Sequence, residues 1–451
     1  MDSKRSSFTG KLGFVLAAAG SAVGLGNIWR FPYLAAKYGG GMFLLVYLVL
    51  SVTFGFSLMI AEIAIGRKTQ MSAIGAFKAL NKRFAFVGWM AALVPTIILP
   101  YYSVIGGWVM KYIFGFVTGD AQNMANSDYF GSYIAEVGEP VIWFLLFIAL
   151  TALIVILGVD KGVEKVSKVM MPALVILIIG IVIYTLFTVD GAWDGVLYYI
   201  TPDFSKFSLM TVVAAAGQLF YSMSLAMGIM ITFGSYTKKE INIEASTKQI
   251  EIFDAGVAFL AGLMIIPVVF ARDPASITKS GPGLMFSVLP HIFSDMPGGS
   301  VIGAIFFIMV FFAALTSSIS LMETVVSILI DKTKIGRKLA CVIVFVFSCL
   351  MGLLSCLGYS AWDNVKIIGM QFLDFFDFVS NNLIMPIVAL LTCVFVGYIL
   401  KPKTVIEEVE ISGKFKNKKL FTAVIKYIAP VLLVIILVTS IIATFSTSFE
   451  I

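Results

Sequence analysis

The chain contains about eleven apolar segments, each long enough to cross a membrane, joined by mostly short polar loops. Hydrophobic residues make up 59% of the sequence and charged residues only 13%, against roughly 25% charged in soluble domains. Segments of about 20 apolar residues satisfy their backbone in lipid as helices. The sequence therefore predicts an all-α polytopic membrane protein. The predicted spans are centred near Val23, Thr53, Tyr102, Leu150, Leu177, Tyr221, Ala261, Leu315, Phe347, Met385 and Ile435.

Positive charge is concentrated in every second loop. Lysine and arginine cluster at residues 67–83, 161–168, 238–248, 332–338 and 401–426, whereas the alternate loops carry mainly acidic residues. By the positive-inside rule, the amino terminus lies in the cytoplasm of a multi-pass protein of the cell (plasma) membrane. An odd number of spans then places the carboxy terminus outside. Orientation explains the net charge of +6, so neither a nucleic acid nor an obligate protein partner is indicated.

The first span contains residues that disfavour a continuous helix. Gly20, Gly24 and Gly26 each lower helix propensity by roughly 1 kcal/mol relative to Ala. Asn27 and Arg30 add polar groups that lipid would reject. Backbone groups released by a break at this depth can bind ions or substrate. Gly20 and Gly24 also form a GxxxG pair that would suit helix packing, but packing explains neither Asn27 nor Arg30.

The sixth span repeats this feature. Residues 217–228 are again rich in glycine, small side chains and hydroxyls, a pattern that small-residue packing would also produce. Interrupted spans at corresponding positions are typical of inverted repeats in secondary transporters. Because each unit has five spans, the second unit enters from the opposite face. We predict a first repeat at 1–190 (spans 1–5), a second at 191–400 (spans 6–10), and a cytoplasmic loop with span 11 at 401–451.

The middle of the eighth span, residues 311–321, carries four hydroxyl residues. Thr316 and Ser317 are adjacent and can offer neighbouring oxygen ligands to a small cation. Ser318 and Ser320 can equally bond back to carbonyls of their own helix.

Three carboxylates lie near mid-membrane, at Glu62, Asp254 and Glu323. Each is a functional-site candidate because an unpaired charge there costs at least ~2.5 kcal/mol, although Glu62 and Glu323 can also serve structurally by bonding unwound backbone. A channel would need a continuous polar lining. An enzyme would need an acid–base pair or metal cluster, and the sequence has a single histidine, His291. We therefore predict no enzyme.

Several motifs together resemble the neurotransmitter:sodium symporter family. They are the stretches 22–27 and 30–32, the Gly217-Gln218 pair, and the stretches 315–318 and 373–378. The resemblance covers most of the chain. It implies a LeuT-type 5+5 inverted repeat with discontinuous helices 1 and 6, and sodium-coupled amino-acid transport by alternating access.

The resemblance also implies two sodium sites. The first would use Ala22, Asn27, Ser222 and Asp254, completed by the carboxylate of the substrate. The second would use Gly20, Val23, Ala313, Thr316 and Ser317. Chloride-dependent relatives carry Asn where this chain has Asp254, so we predict symport that is independent of chloride.

The substrate is predicted to be an L-amino acid. The resemblance assigns its binding to Ala22, Leu25, Gly26, Ile98, Tyr102, Tyr221, Ser222, Ser224, Met227, Ser317 and Leu321. Met227 is unbranched and adaptable and favours contact with aromatic rings, which indicates large hydrophobic and aromatic substrates. Met227 as ordinary core packing remains an alternative. A sodium-dependent sensor that binds without transporting is the alternative function.

Two charge pairs resemble the gates of the family. Arg30 and Asp377 match the external pair, above an aromatic lid of Tyr102 and Tyr221. Arg5 and Asp331 match the internal pair, with Phe8 and Tyr236 nearby. Surface solvation alone would also explain Arg5 and Asp331.

Overall fold

A computed structural model describes residues 7–272 and 282–445, and within these ranges the regular structure is helical. Nine described helices are long and apolar enough to cross a membrane, and a tenth candidate is the bent pair Lys11–Ala22 and Gly26–Lys37. In chain order after this pair, which is span 1, the spans are Gly41–Thr69 (span 2), Lys82–Thr118 (span 3), Glu139–Ile156 (span 4), Val159–Thr188 (span 5), Ile243–Arg272 (span 7), Gly299–Thr333 (span 8), Arg337–Leu357 (span 9), Phe372–Ile399 (span 10) and Lys418–Ile442 (span 11).

The predicted break in span 1 is confirmed. The two halves meet at an angle of 55° across residues 23–25. The backbone of Val23 is extended (φ −73°, ψ 99°), so the helical hydrogen-bond ladder continues past Gly20 and stops directly before Gly24. The small residues also serve packing, since a Cβ on Gly20 would lie 3.2 Å from Thr316 Cβ.

Span 6 consists of two short helices, Leu209–Ser222 and Ile229–Ser235. The connecting backbone turns through left-handed conformations at Ser224 (φ 53°), Ala226 (φ 62°) and Gly228 (φ 70°). A non-glycine residue in this region is strained. The buried Glu62 carboxylate supports the turn by accepting a hydrogen bond of 2.7 Å from the Ala226 N–H, as the structural interpretation of Glu62 predicted.

Span 1 lies at the centre of the bundle. It packs against spans 5, 7 and 8. The second half of span 6 lies backbone to backbone on span 2, because a Cβ on Gly66 would collide with the Ile231 carbonyl and one on Gly234 with the Ile63 carbonyl. The two breaks are thereby held at the middle of the molecule.

The lysine- and arginine-rich loops meet at one end of the bundle, which we call the basic end. There the fully buried Arg67 of span 2 pairs with Glu408 of the helix Pro402–Glu410 at 2.8 Å, and Lys239 reaches the same carboxylate at 2.7 Å. Arg67 also donates to the Ile241 carbonyl at 2.7 Å. This cluster joins three loops that are far apart in sequence.

Candidate functional site

The breaks of spans 1 and 6 are joined by direct hydrogen bonds. Ser224 Oγ donates to the Ser21 carbonyl at 2.8 Å, and Gln218 Nε2 donates to the Gly26 carbonyl at 2.9 Å. Gly26 has no room for a side chain, because a Cβ there would collide with the Tyr221 ring. The freed backbone of one span thus faces that of the other.

A cavity of about 40 Å³ lies between the breaks. All eleven residues predicted to bind substrate line it: Ala22, Leu25, Gly26, Ile98, Tyr102, Tyr221, Ser222, Ser224, Met227, Ser317 and Leu321. Ser21, Gly24 and Ile229 line it as well and were not predicted. Ser21 could have been found from its hydroxyl within the first break.

One side of the cavity carries backbone donors. The N–H of Leu25 points to the Tyr102 hydroxyl at 3.4 Å. A Cβ on Gly24 would lie 2.9 Å from Ser317 Oγ. Gly24 has no side chain, which lets the backbone of span 1 come this close to Ser317. Free N–H groups at the start of a half-helix attract a carboxylate.

Two residues of the predicted first sodium site, Asn27 and Ser222, contact the fully buried Asp254 carboxylate, and Ala22 lines the adjacent cavity with them. Asn27 Nδ2 lies 2.7 Å from Asp254 Oδ1, and Ser222 Oγ lies 3.3 Å from Oδ2. The Tyr47 hydroxyl donates to Oδ2 at 3.1 Å, a partner that sequence reasoning missed. Carboxylate, amide and hydroxyl oxygens fit a hard cation, provided the Asn27 amide turns its oxygen towards the ion.

The residues of the predicted second sodium site also meet. Ser317 Oγ lies 3.4 Å from the Gly20 carbonyl and 3.4 Å from the Val23 carbonyl. Thr316 Oγ1 lies 2.9 Å from the Phe312 carbonyl and 3.2 Å from the Ala313 carbonyl of its own helix, and a Cβ on Gly20 would lie 3.2 Å from Thr316 Cβ. Spans 1 and 8 therefore contribute oxygen atoms to one place, and the binding of an ion there remains a prediction.

The other two hydroxyls of residues 311–321 in span 8 bond within the protein. Ser318 Oγ and Thr151 Oγ1 lie 3.1 Å apart, whereas Ser320 Oγ donates to the Thr316 carbonyl at 2.9 Å. The back-bonding alternative is thus correct for Ser320, and Ser318 links spans 8 and 4.

The external charge pair is not in contact. Arg30 lies over the Tyr221 ring, 5.3 Å from its centroid. Asp377 instead accepts hydrogen bonds from the Tyr101 hydroxyl at 3.0 Å and Asn381 Nδ2 at 2.6 Å, and the ion pairs within 4.0 Å in the described chain do not include Arg30 with Asp377. Both side chains line a cavity of about 270 Å³, and their pairing as a gate stays a prediction.

The basic end is closed beneath the breaks. Phe8 is fully buried and packs on the Tyr236 ring with centroids 6.1 Å apart. The Tyr236 hydroxyl donates to Glu323 at 2.8 Å, and Arg337 forms an ion pair with Glu323. Arg337 was not predicted to be part of this network.

The internal charge pair is only half described. Arg5 lies outside the described residues, so the predicted pair stays a prediction. Asp331 Oδ2 accepts a hydrogen bond of 2.8 Å from the Ser72 N–H. Near the start of the described chain, Thr9 donates its N–H to the buried Glu164 of span 5 at 2.9 Å.

Discontinuous helices facing one central cavity, with oxygen clusters on either side, define a secondary transporter. The sequence matches the Sodium:neurotransmitter symporter family over residues 5–129 and 123–450. The chain therefore belongs to this family, whose members are transporters and not enzymes.

Known relatives cover nearly the whole chain. An uncharacterized sodium-dependent transporter of Bacillus subtilis, YhdH, is 34% identical over 443 residues, which is 96% of this chain and 97% of the relative. The Sodium- and chloride-dependent GABA transporter 2 of Rattus norvegicus is 27% identical over 78% of this chain and 67% of its own length.

The fold also matches a solved structure. The crystal structure of MhsT in complex with L-phenylalanine aligns with a TM-score of 0.88 and 36% identity, covering 97% of this chain and 100% of MhsT. The predicted LeuT-type fold is thereby confirmed.

Replacing Thr316 with Val tests the second sodium site. Val keeps the shape but removes one oxygen, and a lost contact to a charged partner costs about 1.5 kcal/mol. We expect the sodium concentration for half-maximal amino-acid binding to rise about tenfold. Titration of sodium against labelled amino acid in detergent measures it. Ser320→Ala is the matched control, because Ser320 lies one turn further along the same helix and is not a predicted sodium ligand. An unchanged titration for Thr316→Val would contradict the site.

Proposed function

We propose that this protein is a sodium-coupled, chloride-independent symporter that carries large hydrophobic and aromatic L-amino acids into the cell by alternating access. The observation that carries the proposal is the central cavity, in which backbone donors, backbone and hydroxyl acceptors, and an apolar wall face one another. An α-amino acid offers matching groups to all three.

The two ends of the amino acid would bind to different backbone segments. Its carboxylate would accept from the N–H groups of Leu25 and Gly26 and from the Tyr102 hydroxyl, next to the first sodium ion. Its amino group would donate to the carbonyls of Ala22 and Tyr221 and to the Ser224 hydroxyl. Substrate and sodium would stabilise each other because the carboxylate completes the coordination of the ion.

The side chain of the substrate would lie against Ile98, Tyr102, Met227 and Leu321. The described residues that line this cavity include no acidic side chain that could pair with an amine lacking a carboxylate. The relative MhsT binds L-phenylalanine in its crystal structure. Since the cavity measures only about 40 Å³, a large substrate would push lining side chains aside, and Met227 is the most adaptable of them.

Asp254 would make chloride unnecessary. It lies directly beside the groups proposed to hold the first sodium, at 2.7 Å from Asn27. A desolvated cation needs a full negative charge close by, and this carboxylate would supply it permanently. Two sodium ions are proposed as co-substrates, one in each oxygen cluster.

We also propose that the basic end faces the cytoplasm and the carboxy terminus the outside, in the plasma membrane. Residues 1–190 and 191–400 would be the two inverted repeats, and rocking of one group of helices against another would alternate access to the cavity.

Counterflow in proteoliposomes tests the function. Vesicles loaded with unlabelled tryptophan should accumulate labelled tryptophan in the presence of sodium but not of potassium. Replacing chloride by gluconate should leave the rate unchanged. Glycine and alanine should compete poorly. Sodium-dependent binding without counterflow would instead establish the sensor, and loss of counterflow in gluconate would contradict chloride independence.

A further inference from the structure

A second cavity of about 240 Å³ lies on the outer surface of the bundle between spans 4 and 9. Its lining consists entirely of the side chains Ala149, Ala152, Leu153, Ile156, Cys341, Val342 and Phe345. The cavity, which we call the 4–9 groove, is open to the surroundings, because Leu153 is 64% exposed and Val342 is 51% exposed. It is separate from the transport site.

The groove is bounded at both ends by close contacts between the two spans. Towards one end, Gly352 of span 9 packs directly on the Phe144 ring, where a Cβ would collide. At the basic end, Arg337 donates to the Val155 carbonyl at 2.7 Å. Between these contacts the small side chains of Ala149 and Ala152 leave the gap unfilled. The gap is therefore a defined feature of this helix pair.

The occupant must be apolar along its length, because the lining offers no polar surface. The groove has a charged side chain at the end that lies towards the basic end of the bundle. Lys338 is exposed and lies one helical turn before Cys341 and Val342, on the same face of span 9. Lys338 takes part in none of the ion pairs found within 4.0 Å among the described residues. An apolar groove with a cation at its mouth complements a lipid that has an acyl chain and an anionic headgroup.

We infer that the 4–9 groove binds one acyl chain of an anionic phospholipid of the surrounding bilayer, with the headgroup at Lys338. The acyl chain exchanges contacts with other lipid tails for contacts with the groove wall, so packing holds the chain and the charge adds selectivity. The bilayer supplies the lipid at high local concentration, so that modest affinity is sufficient for occupancy.

Occupancy has a consequence for the closed basic end. Arg337, one turn from the groove residue Cys341, joins span 9 to span 4 through the Val155 carbonyl and to span 8 through Glu323. A chain in the groove would hold spans 4 and 9 at the separation that this arginine bridges. We expect anionic lipid to favour the state with a closed basic end.

The test measures retained lipid and transport in matched variants. Ala152→Trp fills the groove, Lys338→Gln removes the cation, and Ile183→Trp places the same ring on span 5 at a side chain that is 52% exposed. Phospholipid retained after detergent extraction is quantified by mass spectrometry. Transport is compared in vesicles of phosphatidylcholine alone and of phosphatidylcholine mixed with phosphatidylglycerol.

We expect the wild type and Ile183→Trp to retain phosphatidylglycerol in preference to phosphatidylcholine. Ala152→Trp should retain about tenfold less of either lipid, the change that about 1.4 kcal/mol produces. Lys338→Gln should retain lipid without preference, and it remains informative if Ala152→Trp fails to fold. Sodium-dependent amino-acid binding, measured on the same samples, should persist in all variants. A loss of lipid retention with intact amino-acid binding therefore tests this inference separately from the proposed function.

Two results would overturn the inference. The first is equal lipid retention by the wild type and Ala152→Trp. The second is a wild-type dimer in detergent that Ala152→Trp converts to a monomer, which would assign the groove to a second copy of the chain.

Discussion

Asp254→Asn is expected to reduce sodium-driven amino-acid uptake in chloride-free buffer by at least ~100-fold. Asn has the same shape but would leave the proposed first sodium without a permanent counter-charge, and removing one member of a buried ion pair costs about 3–5 kcal/mol. Chloride should partly restore uptake, because a mobile anion can then take the place of the carboxylate. Uptake into proteoliposomes in gluconate and in chloride measures both effects.

Glu251→Gln is the matched control for this experiment. Glu251 is a second buried carboxylate of span 7, and it accepts from Ser51 Oγ at 3.0 Å rather than from the predicted sodium ligands. We expect it to keep most of the chloride-free uptake. If Asp254→Asn transports like the wild type without chloride, the proposed charge balance is wrong.

Met227→Phe is expected to weaken tryptophan binding about 30-fold while leucine binding changes little. The Met227 side chain lines the central cavity and is 5% exposed. A rigid ring there cannot fold away from a large substrate, and overpacking by this amount costs about 2 kcal/mol. Competition of unlabelled tryptophan and leucine against a labelled substrate gives both affinities.

Met227→Leu controls for loss of the methionine itself. It nearly conserves volume and should change both affinities by less than about tenfold. Equal losses for tryptophan and leucine in Met227→Phe would mean that position 227 is core packing, the alternative that the sequence left open.

The broken helices could be predicted because their cause is local. Glycines at residues 20–26 and polar groups within an apolar run disfavour a helix wherever they occur. The residues lining the central cavity and the two oxygen clusters followed from motifs that match a known family. Both kinds of information lie in short stretches of sequence.

The contacts that were missed join residues far apart in the chain. Tyr47 reaches Asp254 across 207 positions and Arg67 reaches Glu408 across 341. No periodicity or spacing indicates such partners, because they depend on how the helices pack. Arg337 lies at the start of a span, where a basic residue is also expected for orientation alone.

The Arg30 and Asp377 side chains are apart in this structure for a different reason. Opposite charges at Arg30 and Asp377 predict attraction, but each side chain has other partners in this conformation. Tyr221 offers its ring to Arg30, and Tyr101 and Asn381 satisfy the carboxylate. A contact that forms and breaks during a cycle is not determined by the sequence alone.

Tyr221 lines both the central cavity and the larger cavity beneath Arg30 and Asp377. The two cavities therefore share the Tyr221 ring as a wall, and in the proposed transport cycle this ring would both contact the substrate and control its release to the outer side. A compound long enough to occupy both cavities would hold the Tyr221 ring in place between them. The outer side could then not close. Such elongated amino-acid derivatives should act as blockers that bind in competition with the substrate but are not themselves carried across.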